Sequence, residues 1–153
     1  MAGEIAEIGA NVSGWKIGER VLIDPRNRVE GGLVGETIHG GLAEYCRVKE
    51  HQLVRIPDGV SFDQASSLPV AYGTAHRMMM TIGQVTSDDK ILILGASGGV
   101  GTGALLLAKM AGAEVVVCAS SDSKMEKLKS LGADHAMTYM NLSLIHISEP
   151  TRH

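Results

Sequence analysis

The sequence predicts a mixed α/β chain in which an antiparallel β region is followed by the beginning of a parallel sheet with helices between its strands. Two observations carry this expectation. From Met1 to Pro57 short apolar stretches alternate with turn residues and no helical period develops, the pattern of short antiparallel strands. From Lys90 to Lys124 an apolar run ends in glycines, continues into a helix-period segment and is followed by a second apolar run.

In chain order, the strand candidates of the first region are Glu4 to Ile8, Arg20 to Ile23, Leu42 to Val48 and Gln52 to Ile56. The stretch Pro25 to Gly41 is rich in glycine and charge and reads as a surface loop, and Pro57-Asp58-Gly59 is a turn by residue type. Ser61 begins a helix, with Gln64 as its capping-box partner. Pro69 is placed to open a second helix at its first position, running through Val70, Thr74 and Met78 on one face until Gly83. Ile91 to Leu94 is β-branched-rich without alternation, as in a strand buried on both faces of a parallel sheet. A helix carrying Val100, Ala104, Leu107, Ala108 and Ala111 on one side ends at Gly112, and Val115 to Cys118 gives the next strand. Ser123 and Glu126 suggest a further capped helix burying Met125, Leu128 and Leu131 and ended by Gly132; His135 to Tyr139 reads as a third parallel strand.

A glycine-rich turn between a buried strand and a helix is the setting of a dinucleotide site. Glycines let the turn be tight and let backbone amides approach a pyrophosphate, while the helix points its positive end at the anion. Ser97, Gly98, Gly99, Val100 and Gly101 form this candidate cradle, and Gly101 would also let the helix pack close to the strand. The spacing is Gly95-x-x-Gly98-x-x-Gly101, or Ala96-x-Gly98-x-x-Gly101 if Ala96 takes the first place.

Composition narrows the function classes. The chain has 153 residues, 44% of them hydrophobic and 20% charged, with a net charge of -3 and no basic cluster, so it lacks the electrostatic footprint of a nucleic-acid or anionic-membrane binder. Cys46 and Cys118 fall inside predicted strands and read as small buried hydrophobes of a reducing compartment rather than a disulfide. No basic segment leads into an apolar core at the N-terminus, and the Leu105 to Leu107 run is interrupted by Lys109, so the expectation is a cytoplasmic protein.

Ala2-Gly3-Glu4, Gly18-Glu19-Arg20-Val21, Gly41-Leu42-Ala43-Glu44-Tyr45, Ile56-Pro57-Asp58-Gly59, Gly73-Thr74-Ala75, Gly95 to Gly101 and Leu131-Gly132-Ala133-Asp134 occur in this order. This series resembles the medium-chain dehydrogenase/reductase superfamily, which includes zinc-type alcohol dehydrogenases and quinone oxidoreductases. The resemblance covers the chain up to Asn141 and implies a partial GroES-like antiparallel β domain over 1–60. It further implies the first half of a Rossmann doubly wound parallel sheet over 61–141, with the active site between the two. It begins inside the family's catalytic domain and stops after the third Rossmann strand, which implies a piece of a longer enzyme, inactive by itself for want of the remaining parts and poorly soluble because the sheet edges lack their covering. Residues 142–153, LSLIHISEPTRH, do not resemble the family and read as the translation of a transposase-based sequencing adapter, the alternative being a divergent extension. They are left out of the functional reading. An independent clone continuing past Asn141 with different codons would mark them as non-native; the same codons without an adapter would mark them as genuine.

An NAD site places an acidic residue at the end of the second strand, for the ribose hydroxyls. Here Ala119, Ser120 and Ser121 stand there, followed by Lys124. Hydroxyls and a cation in place of a carboxylate suit the 2′-phosphate of NADP(H). By resemblance to the quinone-reductase branch, Ser121, Lys124 and Tyr139 would surround that phosphate, and Thr74 would approach the nicotinamide. Lys124 can equally be a solvated helix residue, and Thr74 a helix hydroxyl bonding back to a carbonyl.

Zinc is not expected. Pro25 to Gly41 has no cysteine where zinc-dependent relatives carry a four-cysteine lobe, and Val70 stands where they place a catalytic ligand. His39, His51, His76 and His135 show no ligand spacing, and Tyr45 reads as strand packing rather than a catalytic group. No catalytic residue is identified. The expectation is therefore an NADP(H)-dependent oxidoreductase passing hydride to a quinone, enone or carbonyl, homo-oligomeric as a whole protein and free of nucleic-acid or membrane partners. The alternatives are a zinc alcohol dehydrogenase with its ligands upstream and a non-catalytic nucleotide-binding protein on the same fold.

Overall fold

The structure is a computed structural model and describes residues 1–139. It divides into two compact units, Met1–Val70 and the part from Ala71 onward.

In the first unit, strands β1 (Ala2–Glu4), β2 (Arg20–Ile23) and β3 (Leu53–Arg55) form an antiparallel sheet in that order. Val21 lies opposite Gly3 on one side and Arg55 on the other, and its side chain is buried with Ile5, Ile56 and Ala65 at the centre of this unit. Helix α1 (Phe62–Ser67) packs on β1 and β2. Its N-terminus is the capping box expected from sequence: Gln64 N–H donates to Ser61 Oγ at 3.2 Å and Ser61 N–H to Gln64 Oε1 at 2.9 Å.

Leu42 to Val48 is not a strand. No strand among the described residues runs beside it, so its apolar side chains have no sheet to face: Leu42 is fully exposed and Tyr45 is 77% exposed. The expectation that Tyr45 packs within a strand is overturned with it, and Cys46 is half-buried in an irregular segment. Pro69 does not open a new helix either. The chain continues from α1 through a π-helical turn (Leu68–Tyr72) into α2 (Gly73–His76) and a second π-helical turn (Arg77–Ile82). A π turn shifts the hydrogen-bond ladder by one residue, which accommodates a proline that has no N–H to donate. The run ends at Gly83 as expected, where the Gly83 amide bonds Met78 O at 2.8 Å.

The second unit is built on a parallel sheet of order β4 (Lys90–Ile93), β5 (Glu114–Ala119) and β6 (His135–Thr138). Helix α3 (Gly99–Met110) connects β4 to β5, and α4 (Asp122–Ser130) connects β5 to β6. Val115, Val117 and Ala119 of β5 share the buried face with Ile93, and Ala104, Leu105 and Ala108 of α3, Leu128 of α4 and Ala75 and Met79 of the preceding helical run fill the core against them. Both faces of β5 are apolar, since Cys118 on the opposite face is also buried, and burial raises its thiol pKa. Helix α4 starts earlier than expected, with Ser121 rather than Ser123 at the N-cap, and Leu131 is 40% exposed rather than core. Leu131 follows the last helical residue, so the 3.6-residue period no longer directs it inward.

Asp134 ties three elements together. Its carboxylate accepts from Lys109 Nζ at the end of α3, at 2.8 Å and 3.0 Å, and from the Val115 amide at the start of β5, at 2.7 Å. The Lys109 hydrogen bond, then the Val115 amide, hold its pKa below the ordinary aspartate value. A carboxylate with a depressed folded-state pKa stabilises the fold above its unfolded value, and that contribution disappears as pH falls through the folded one. Thermal unfolding is therefore expected to show a loss of stability below about pH 4, and Asp134→Asn should flatten that part of the profile while lowering the neutral-pH midpoint.

Candidate functional site

The glycine turn lies between β4 and α3. Gly95 takes the first position of the motif: it has φ +64, where a side chain is disfavoured, while Ala96 is fully buried. The turn closes through Gly98 N–H to Gly95 O at 3.0 Å, and Thr102 N–H to Gly98 O at 2.8 Å begins the helix. Thr102 Oγ1 donates to Ala96 O at 3.1 Å, and the Ala96 amide continues the sheet by bonding Cys118 O at 3.2 Å. Strand, turn and helix are thereby held as one piece.

Ser97, Gly98 and Gly99 are exposed above the start of α3, and no side chain caps that start. A helix N-terminus with open glycine backbone and no cap presents free amides and the positive end of the helix dipole to an anion. These residues fit a dinucleotide pyrophosphate. Val100 contributes only its backbone, because its side chain packs on the core.

The glycines also have packing roles. A Cβ at Gly101 would lie 2.6 Å from Ala96 Cα and 2.7 Å from Gly95 O, so α3 approaches the turn through this residue, as the sequence implied. Less visible in the sequence is a second contact: a Cβ at Gly99 would meet Ala71 Cβ at 3.1 Å, and one at Gly103 would meet Ala75 Cβ at 3.2 Å. The small residues four apart on each segment let α3 pass close to the helical run containing Ala71 and Ala75. Gly103 was missed because a glycine inside an apolar helical stretch carries no motif of its own.

At the end of β5 the structure brings two expected residues together. Lys124 Nζ donates to Ser120 Oγ at 3.1 Å, and both residues are exposed at the strand end. Ser121, the N-cap of α4, places its Oγ 3.3 Å from Ser123 Oγ. Asp122 stands beside them in the first turn, where the helix dipole favours an acid. Tyr139 follows β6 and does not join this group. Its hydroxyl accepts a hydrogen bond from the Gly95 amide at the mouth of the glycine turn. Thr74 is exposed on α2, next to the Ala75 that packs on Gly103.

Among the described residues no group of three or more His, Cys, Asp or Glu is arranged to hold a metal ion. His51 Nε2 is 3.0 Å from Asn27 Oδ1, and His135 Nε2 is 3.1 Å from Glu114 Oε1. No helix among the described residues is long and apolar enough to cross a membrane.

Two family models match the chain in succession: residues 1–58 match an alcohol dehydrogenase GroES-like domain, and residues 99–149 match a zinc-binding dehydrogenase. The chain belongs to the medium-chain dehydrogenase/reductase superfamily. The antiparallel unit is thus part of a GroES-like domain and the parallel unit part of a Rossmann fold. The second match runs on to residue 149, over the beginning of the segment 142–153 set aside above, which lies outside the described residues.

Within the superfamily the chain is 41% identical to 2-methylene-furan-3-one reductase of Solanum lycopersicum, over 91% of this chain and 35% of that protein. It is 36% identical to the NADPH-dependent alkenal/one oxidoreductase, chloroplastic, of Arabidopsis thaliana, again over 91% of this chain and 35% of that protein. Among solved structures, an NAD-dependent alcohol dehydrogenase superposes with a TM-score of 0.85 at 31% identity, over 92% of this chain and 45% of that one. The chain therefore spans about a third of the curated relatives and under half of that structure.

Proposed function

We propose that the protein to which this chain belongs is an NADP(H)-dependent oxidoreductase that transfers a hydride between the nicotinamide and an enone, quinone or carbonyl compound. The observation that carries the reading is the pairing of an open, uncapped glycine turn with Ser120 and Lys124 at the end of β5, where an NAD site would carry an acid. The cofactor, when bound, supplies the hydride. The chain's own residues bind and orient it. Amides of Gly99, Val100 and Gly101 receive the pyrophosphate beside the open Gly98 backbone, whose own N–H closes the turn on Gly95 O, and the Ser120 and Ser121 hydroxyls with the Lys124 ammonium receive the adenosine phosphate. Thr74 faces the nicotinamide on the strength of the family resemblance. Relatives named for enone reduction support the substrate class.

Zinc-free chemistry is part of this proposal, supported by Val70 at the position of a family metal ligand and by a loop from Pro25 to Gly41 without cysteine. The setting proposed is the cytoplasm, with a homo-oligomeric whole protein acting on a small molecule without nucleic-acid or membrane partners. Titration of the intact protein with both cofactors, followed by calorimetry, tests the reading. NADPH is expected to bind at least tenfold more tightly than NADH, the scale of one charge-assisted contact. Equal affinities would overturn the NADP assignment, and absence of turnover of NADPH with enones, quinones and carbonyls would favour a non-catalytic binding protein.

A further inference from the structure

Ala96 is fully buried in the glycine turn, and both of its backbone groups need partners. Its N–H bonds Cys118 O of β5 at 3.2 Å. Among the described residues no backbone amide reaches its carbonyl; the Thr102 hydroxyl supplies the donor, at 3.1 Å. A threonine inside a helix ordinarily turns its hydroxyl back to a carbonyl three or four residues earlier, which here would be that of Gly99 or Gly98. Thr102 reaches six residues back instead, out of α3 and onto the turn. Its own N–H bonds Gly98 O at 2.8 Å, so this one residue fixes the turn on both sides of Ser97.

A buried carbonyl left without a donor costs free energy. The Ala96–Ser97 peptide recovers a partner by rotating that oxygen toward solvent at the exposed Ser97. The negative end of the peptide dipole would then face an anion held by the Gly99, Val100 and Gly101 amides.

We propose that Thr102 is a positioning residue for the phosphate-binding turn, its hydroxyl holding the Ala96 carbonyl against α3 and away from the anion. This rests on the dinucleotide reading above and concerns the pyrophosphate, which NAD(H) and NADP(H) share. Loss of the hydroxyl therefore weakens both nucleotides alike.

The test uses the intact protein with Thr102→Val, which keeps the branched shape without the hydroxyl, and Thr102→Ser, which keeps the hydroxyl without the methyl. In Thr102→Val the dissociation constants of NADPH and NADH, measured by calorimetry well below the melting temperature, are both expected to rise about fivefold, the scale of one lost hydrogen bond. Their ratio should stay within about twofold, and Thr102→Ser should recover most of the loss. In the nucleotide-free protein, hydrogen exchange at the Ala96 amide is expected to speed by about fivefold in Thr102→Val alone. Faster exchange with unchanged affinities would overturn the proposal and leave the hydroxyl a purely structural group, and weaker binding with unchanged exchange would make it a direct ligand instead. Equal losses in both variants would overturn it in favour of packing by the methyl, and a rise for NADPH alone would move the effect to the other end of the nucleotide. If the unmutated protein bound neither nucleotide, the dinucleotide reading would fail and the positioning role with it, whereas intact binding that ignores the hydroxyl sinks the positioning role alone.

Discussion

Replacing Gly101 with alanine is expected to lower stability by about 3 kcal/mol and to weaken nucleotide binding by more than tenfold. The added Cβ would lie 2.6 Å from Ala96 Cα, 2.7 Å from Gly95 O and 3.0 Å from Ala96 C, all backbone atoms of the turn. No rotamer change relieves such a contact, so either α3 moves away from β4 or the turn opens. Both outcomes disturb the same interactions: the Thr102 hydroxyl bond to Ala96 O, and the closure of the turn from Gly98 to Gly95. Thermal unfolding should show the midpoint falling by roughly 10 °C. A cofactor titration of the folded fraction separates the binding loss from the stability loss. Gly98→Ala provides the contrast, since its Cβ would sit 3.4 Å from Gly95 O, an ordinary contact, at a φ of -81. That variant should retain stability within about 1 kcal/mol while narrowing the approach of a phosphate. If Gly101→Ala melts like the unmutated protein, the close approach of α3 is not what holds this unit together.

Ser120→Asp is expected to reverse cofactor preference. The serine hydroxyl now receives the Lys124 ammonium at 3.1 Å. A carboxylate in its place would pair with that ammonium and add a negative charge where we propose that the 2′-phosphate binds, while offering an acceptor to unphosphorylated ribose hydroxyls. NADPH affinity should fall by about 100-fold, the scale of a lost charge-assisted contact plus like-charge repulsion. NADH affinity should rise several-fold. Because the site is exposed, the NADPH effect should shrink as salt is raised. Unchanged discrimination in this variant would place the determinant elsewhere and remove the main support for NADP(H).

Local chemistry was legible in the sequence where it acts over a few residues. The capping box of Ser61 and Gln64, the breaks at Gly83, Gly112 and Gly132, and the glycine turn with its helix all appear where residue types put them. Each rests on a backbone conformation or a hydrogen bond within one turn of chain. The short apolar stretch Leu42 to Val48 misled because it reports only that a segment could pair; pairing also needs a partner strand, and the three-stranded sheet supplies none there. Pro69 misled for a related reason. Its missing N–H argues for a helix start only if the ladder stays in α register, and a π turn removes that condition.

The sequence by itself determined the strand, glycine turn and helix of the second unit, and the hydroxyl and ammonium groups standing where an acid would otherwise meet the ribose. These follow from φ freedom, helix phase and side-chain charge, which are properties of the residues themselves. Tertiary structure alone decided which groups meet. It drew Asp134 to both Lys109 and the Val115 amide, and brought Tyr139 to Gly95 rather than to the serines. Those partners are far apart in sequence or on different elements, and only the order β4-β5-β6 and the crossing of the helices set their distances.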